Sequence, residues 1–246
     1  MEVIPMNRDT YDKLMTMKLI GMAEEYKNQD SIPNIHEFTF EQRFNLMVDA
    51  EYDSKYNRAI ERLIHNAKLN DSKASISQIH YYEDRHLNRE QLERLATNKY
   101  IERHENVLII GATGSGKSYI ASALGISACN GRKRVRYIRL PDLLAELQLS
   151  KVQGTYKRLI KQYERCDLLI IDEWLLVNTT SVEQQDILEI LEVRYRVHST
   201  IFCSQFEVGG WHQKLGGGAL ADAILDRIIP RAHTIKIDGL KSMRTR

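Results

Sequence analysis

Three cysteines in 246 residues, Cys129, Cys166 and Cys203, are too few and too scattered for a disulfide scaffold. Each sits in an apolar or strand-like stretch, which predicts buried, reduced thiols and a cytoplasmic setting. None of the eight histidines pairs with a cysteine at ligand spacing, so no zinc site is expected. Long apolar runs are missing as well. The longest lie at residues 107–110 and 168–171, whereas a membrane helix needs about twenty residues. Residues 1–18 mix charged and apolar side chains without the apolar core of a secretory signal. Repeats and low-complexity segments are absent. So is an excess of one charge: 35 Lys and Arg face 33 Asp and Glu, and a net charge of +2 taken whole argues against nucleic-acid binding.

What is present is uneven. The chain is 43% hydrophobic and 28% charged, enough apolar residues for a substantial core. Residues 1–105 carry 15 basic and 19 acidic side chains, and residues 106–246 carry 20 and 14. Of 13 glycines only Gly21 lies in the first stretch. That stretch reads as helical. Leu14, Met17, Ile20 and Met22 recur at helical spacing within a segment over 8–29. Thr39 and Gln42 form a capping-box pattern opening a long helix to about residue 69, with Phe44, Met47, Ile60, Ile64 and Ala67 on its apolar stripe. Asn88 and Gln91 repeat the capping pattern before a shorter helix. The expected organisation is a helical N-terminal domain over 1–70, a linker with short helices over 71–105, and an α/β domain over 106–246.

In the last of these, β-rich runs at 106–110, 135–139, 168–172, 200–203 and 234–237 alternate with helical segments at 117–129, 141–149, 156–164, 182–196 and 220–229. Such alternation implies βαβ crossovers and a parallel sheet with helices on both faces.

The run Gly111-Ala112-Thr113-Gly114-Ser115-Gly116-Lys117-Ser118 fits the phosphate-loop pattern at every fixed position, follows a strand and opens a helix. Its glycines let several N–H groups converge on one anion, and the helix adds its positive end. Lys117 is then placed for the β- and γ-phosphates, and the Ser118 hydroxyl for Mg²⁺, with Tyr119 following in the helix. ATP and Mg²⁺ are the expected cofactors. Asp172 and Glu173 close a buried apolar strand: Asp172 is suited to hold the metal, and Glu173 to polarise an attacking water. That favours hydrolysis over transfer to a small molecule. The strand ending in Ser204-Gln205 offers two candidate sensors of the γ-phosphate. Arg227, late on a helix, either reaches a neighbouring subunit's phosphates or pairs with Asp226 or Asp222 on its own surface.

With these residues in place, the sequence resembles the IstB family of transposition helper ATPases, AAA+ proteins related to the DnaC-type helicase loaders. The resemblance spans nearly the whole chain. It is carried by Leu19-Ile-Gly-Met-Ala-Glu24, Phe40-Glu-Gln-Arg43, Tyr137-Ile-Arg-Leu-Pro141, Asp172-Glu-Trp174, Leu220-Ala-Asp-Ala-Ile-Leu-Asp-Arg227 and Ser242-Met-Arg244. It implies a P-loop AAA+ ATPase domain behind a small all-helical domain, and an ATP-dependent homo-oligomer, ring or filament, on double-stranded DNA. It also implies a transposase of the same element as partner. By resemblance Arg227 becomes the arginine finger, and Arg244 a second arginine near the nucleotide. The chain departs from the family where Asp-Asp is common, having Asp172-Glu173, and its sensor position is Ser204-Gln205 in place of the usual Asn or Thr. Only nine residues follow the last strand, so Arg244 is not on a helical lid.

A basic stripe supplies the DNA candidate. Lys157, Lys161 and Arg165 recur every four residues, with Arg158 alongside and Lys151 just before them. Such stripes also occur as plain solvated faces; the family's extra helix in this region tips the reading toward phosphate contacts. The alternatives are a DnaC-like loader, a nucleotide-gated scaffold, or a P-loop kinase of a small molecule.

Overall fold

The computed structural model describes residues 7–239 and 242–243. It divides into two compact units, residues 1–62 and 63–246.

The first unit holds α1 (Arg8–Thr16), α2 (Ile20–Asn28) and most of α3 (Phe40–Ala67). The helical segment expected over 8–29 consists of two helices, because Lys18 adopts a left-handed φ of +60° that ends the first. The capping box at Thr39 forms: the Gln42 N–H donates to Thr39 Oγ1 at 3.2 Å, and the Thr39 N–H donates to Gln42 Oε1 at 2.8 Å. Phe44, assigned to the buried stripe, is instead 45% exposed and stacks on Phe40, 82% exposed, at 5.8 Å. What α3 turns inward here is Glu51, whose carboxylate accepts the Met22 N–H at 3.1 Å and pairs with Lys55 and Arg58. Gly21 makes this approach of α2 to α3 possible: a Cβ there would lie 2.3 Å from the Ala50 carbonyl oxygen. Gly21→Ala is therefore expected to destabilise this unit by about 1–3 kcal/mol, the usual cost of overpacking. A chemical-denaturation profile superimposing on the wild type would contradict that packing.

The second unit begins within α3. Residues 71–105, expected as a linker, are part of it: α4 (Arg89–Ala96) and α5 (Lys99–Glu102) bury Leu92, Leu95, Tyr100 and Ile101 in its core. Asn88 caps α4 as expected, accepting the Gln91 N–H at 3.0 Å, but the Gln91 side chain donates to the Thr234 carbonyl instead of closing the box.

There follow β1 (Asn106–Gly111), α6 (Lys117–Asn130), β2 (Val135–Arg139), α7 (Leu140–Val152), α8 (Tyr156–Glu164) and β3 (Leu168–Trp174). Then come α9 (Ser181–Arg194), β4 (Ser199–Ser204), α10 (Trp211–Lys214), α11 (Gly218–Ile228) and β5 (Ala232–Ile237). All five strands pair in parallel, in the order β2-β3-β4-β1-β5. Alternate residues of each strand enter opposite cores, as the two-residue period of a strand requires. Leu108, Ile110, Leu169, Ile171 and Phe202 meet α7, α8, α9 and α11. Val107, Ile109, Leu168, Ile170 and Ile201 meet α4, α5 and α6. All three cysteines are buried and unbridged.

Arg194 ties the end of the sheet opposite the phosphate loop, at the start of its central strand. Fully buried, it donates to the carbonyls of Tyr163, Cys166 and Ser199 and to Thr200 Oγ1, so one guanidinium joins the end of α8 to the start of β4. Burial pushes it down to about 10, still protonated at neutral pH.

Candidate nucleotide site

The strand order determines the site. β4 runs between β1 and β3, with Ser204 in register with Ile110 on one side and Trp174 on the other. The phosphate loop after β1, the carboxylates at the end of β3 and the tip of β4 therefore share one end of the sheet.

In the loop, Lys117 Nζ donates to the Gly111 and Ala112 carbonyls at 2.7 and 2.8 Å, and its burial lowers the ammonium pKa. The Ser118 hydroxyl donates to Asp172 Oδ2 at 2.5 Å, although 54 residues separate them. The same oxygen receives the Tyr137 hydroxyl at 2.6 Å, and Oδ1 takes the Glu173 N–H at 2.7 Å. Burial, then the bond to Asp172, raises the Tyr137 phenol above its ordinary range, so Tyr137 remains a donor.

The pairing of β3 with β4 slips between Ile171 and Trp174, a bulge across Asp172 and Glu173. Glu173 has φ +54°, a conformation costly for a side chain of this size. Bulges re-aim side chains, and this one holds both acids at the end of the sheet that carries the phosphate loop. Behind it, Trp174 packs edge-on against Phe202 at 4.8 Å and Trp211 at 5.9 Å. In front, Arg139 Nη1 lies 3.8 Å from Glu173 Oε1 while its fork holds Asp142 at 2.8 and 3.0 Å.

Of the two sensor candidates, Ser204 is 1% exposed and its hydroxyl is spent on structure, donating to the Trp174 carbonyl and accepting the Phe206 N–H. Gln205 is exposed, and its Oε1 accepts the Thr113 hydroxyl of the phosphate loop at 2.9 Å. Ser242 and Met243 also return to the loop: the Met243 N–H donates to the Gly114 carbonyl at 2.8 Å. Arg244, the next residue, lies outside the described residues.

Beside Gly116 opens a cavity of about 520 Å³, walled by Gln78, Ile79, His80, Arg85, Tyr119, Ile120 and Met243. Its apolar lining next to a phosphate loop suits a purine base. Residues 78–80 belong to the stretch expected to be a linker, and no motif marks them. Tyr137, the other participant without an expected role, sits in β2 between Arg136 and Ile138, and no phosphate-site motif marks it.

A model of the IstB-like ATP binding protein family matches residues 12–246. The chain belongs to this family. Insertion sequence ATP-binding protein y4pL of Sinorhizobium fredii is 37% identical over 230 residues, 94% of each chain. The corresponding IS1162 protein of Pseudomonas fluorescens is 32% identical over 200 residues, 81% of the IstB-like chain and 87% of its own. Among solved structures, the DnaC helicase loader superposes with a TM-score of 0.55 at 17% identity, over 66% of this chain and 97% of that one. AMPPCP-bound DnaA from Aquifex aeolicus does so with 0.54 at 22% identity, over 66% and 50%. At such identities the likeness is one of fold.

Arg227 stands apart from the phosphate loop of its own IstB-like chain. Asn106, the first residue of β1, donates its side-chain amide to the carbonyls of Arg227 and Ile228 at 3.3 and 3.1 Å. The phosphate loop leaves β1 at Gly111, about 17 Å further along at 3.3 Å per residue. The guanidinium pairs with Glu192, donates to the Ala223 carbonyl at 2.9 Å and lies over the Tyr195 ring. Neither Asp222 nor Asp226 holds it.

The basic stripe is at the surface. Lys157, Arg158, Lys161 and Arg165 are exposed and join no ion pair among the described residues, while Ile160 and Tyr163 bury the other face of α8. Lys151 does not join them. Its ammonium lies 2.5 Å from the buried Asp186 and over the Tyr156 ring. No helix among the described residues is long and apolar enough to cross a membrane.

Proposed function

We propose that this IstB-like protein is a Mg²⁺-dependent ATPase that assembles on double-stranded DNA and serves the transposase of an insertion sequence. The observation that carries the reading is the meeting of Ser118 and Asp172 at 2.5 Å beside the re-aimed Glu173, at the mouth of a phosphate loop. A hydroxyl and a carboxylate are hard oxygen donors, the pair that Mg²⁺ takes from a protein when phosphates and water complete its shell. When bound, the ion neutralises charge on the phosphates. Lys117 turns from its loop carbonyls to the β- and γ-phosphates, Glu173 orients the attacking water and accepts its proton, and Gln205 reads the γ-phosphate from the tip of β4.

Insertion-sequence names among relatives at 32–37% identity support the biological setting over a helicase-loading one, for which fold likeness alone speaks. A general base for water beside the metal ligand speaks against a small-molecule kinase. Arg227, remote from its own loop, suits a neighbour's.

For DNA, the candidates are Lys157, Arg158, Lys161 and Arg165, which contact phosphates without reading sequence. ATP turnover is expected to rise with duplex DNA. Lys157→Ala with Lys161→Ala is expected to weaken binding to all duplex sequences alike. It should also reduce the slope of log affinity against log salt by about 2, one unit per lost phosphate contact. A double variant with the wild-type slope would exclude α8 from the interface.

A further inference from the structure

Arg85 ends a single 3-10 turn, Glu83–Arg85, thirty residues before Ser115 of the phosphate loop, yet it is only 4% exposed. Its Nη2 donates to the carbonyl oxygen of Ser115 at 2.8 Å, and its Nη1 donates to the carbonyl of His80. An arginine offers these donors as a rigid, permanently charged fork.

The first bond has a geometric consequence. In a planar trans peptide the C=O of one residue and the N–H of the next point to opposite sides. Holding the Ser115 carbonyl on Arg85 therefore directs the Gly116 N–H away from Arg85. That N–H has no acceptor among the described residues, and it stands at the N-cap of α6, where amides gather anions. Gly116 answers to Arg85 in a second way. Its φ of +96° suits glycine, and a Cβ there would lie 2.9 Å from Arg85 Nη2.

We propose that Arg85 is a positioning residue for the nucleotide phosphates, acting through the Ser115–Gly116 peptide: it turns one amide of the phosphate loop toward the ligand and holds it there before the ligand arrives. Preorganised donors bind more tightly because their ordering is already complete. The proposal rests on the reading of the Gly111-to-Ser118 run as a phosphate loop, and it adds to that run a residue no phosphate-loop pattern contains.

The test compares wild-type, Arg85→Met and Arg85→Lys full-length proteins. Folding is checked by thermal unfolding without nucleotide, and ADP and adenosine are titrated against a fluorescent ADP analogue. Arg85→Met is expected to weaken ADP by about ten-fold or more, the scale of losing a charge-assisted bond, with adenosine within about two-fold. Arg85→Lys, which keeps a cation able to reach the Ser115 carbonyl, is expected to recover part of the loss. Equal losses for ADP and adenosine would show that Arg85 merely supports the wall of the cavity and would overturn the proposal. So would unchanged ADP affinity. Should Arg85→Met not fold, the lysine variant decides: a loss confined to ADP supports the role, and none refutes it. A wild-type protein that binds neither ligand removes the phosphate-loop reading itself, and the proposal with it.

Discussion

Glu173→Gln is expected to lower ATP turnover by about 10²–10⁴-fold, the range lost when a general base is removed, while ATP still binds. The amide has the shape of the carboxylate and cannot take a proton from water. The bulge, Trp174 and the backbone N–H on Asp172 Oδ1 are untouched by the change, so the metal-side geometry persists. The variant should accumulate ATP-loaded protein, and on DNA it should hold the assembled state. Lys117→Ala acts earlier: without the ammonium, nucleotide binding itself is lost, and the Gly111 and Ala112 carbonyls lose their donor. Phosphate release together with binding of a fluorescent ATP analogue separates the two. Turnover by Glu173→Gln within a few-fold of wild type would show that water is activated elsewhere.

Arg227→Ala is expected to cut turnover by about 10³-fold or more, as removal of an arginine finger does. The position of Arg227 makes a sharper test possible. It lies by the start of β1 and the phosphate loop lies past its end, so on the proposed reading the side chain serves a site other than its own. Mixing Arg227→Ala, which keeps an intact phosphate loop, with Lys117→Ala, which keeps the arginine, should restore activity that neither has alone. Two inactive variants that stay inactive together, though they co-assemble, would rule out an arginine supplied between subunits. Within one subunit the guanidinium is held by Glu192; on the proposed reading, assembly exchanges that carboxylate partner for phosphate oxygens. On that reading, loss of Glu192 is expected to change how readily Arg227 is released.

Much of this was legible in the sequence because it is local. All five strands are where β-rich runs place them, and the phosphate loop, the Thr39 box and the Asn88 cap rest on residues a few positions apart. Asp172 and Glu173 could be read as a pair, but not the bulge that aims them, since a register slip depends on the partner strand. Arg85 and Tyr137 escaped notice for the same reason: their acceptors lie 30 and 35 residues away. Lys151 and Lys157 look alike in the sequence. Only a buried carboxylate on α9 tells them apart, drawing one into an ion pair and leaving the other in solvent. Likewise Ser204 reads as well as Gln205 until the Trp174 carbonyl claims its hydroxyl. Residues 71–105 misled by composition: with little glycine and short helices they suggest a connector, and their apolar side chains complete the core beneath β1.

If Arg227 serves the next protomer's nucleotide, as proposed, and the contact repeats, its distance from its own phosphate loop gives the assembly a polarity. A contact that joins the arginine of one protomer to the nucleotide of the next is heterologous, and repeating it runs head to tail. A closed ring leaves every nucleotide served. An open row does not: its leading protomer offers an arginine to no one, and its last one holds a nucleotide that no arginine completes. Such a row loads ATP along its whole length and spends it everywhere except at one end, so its two tips are chemically distinct even though every subunit is the same.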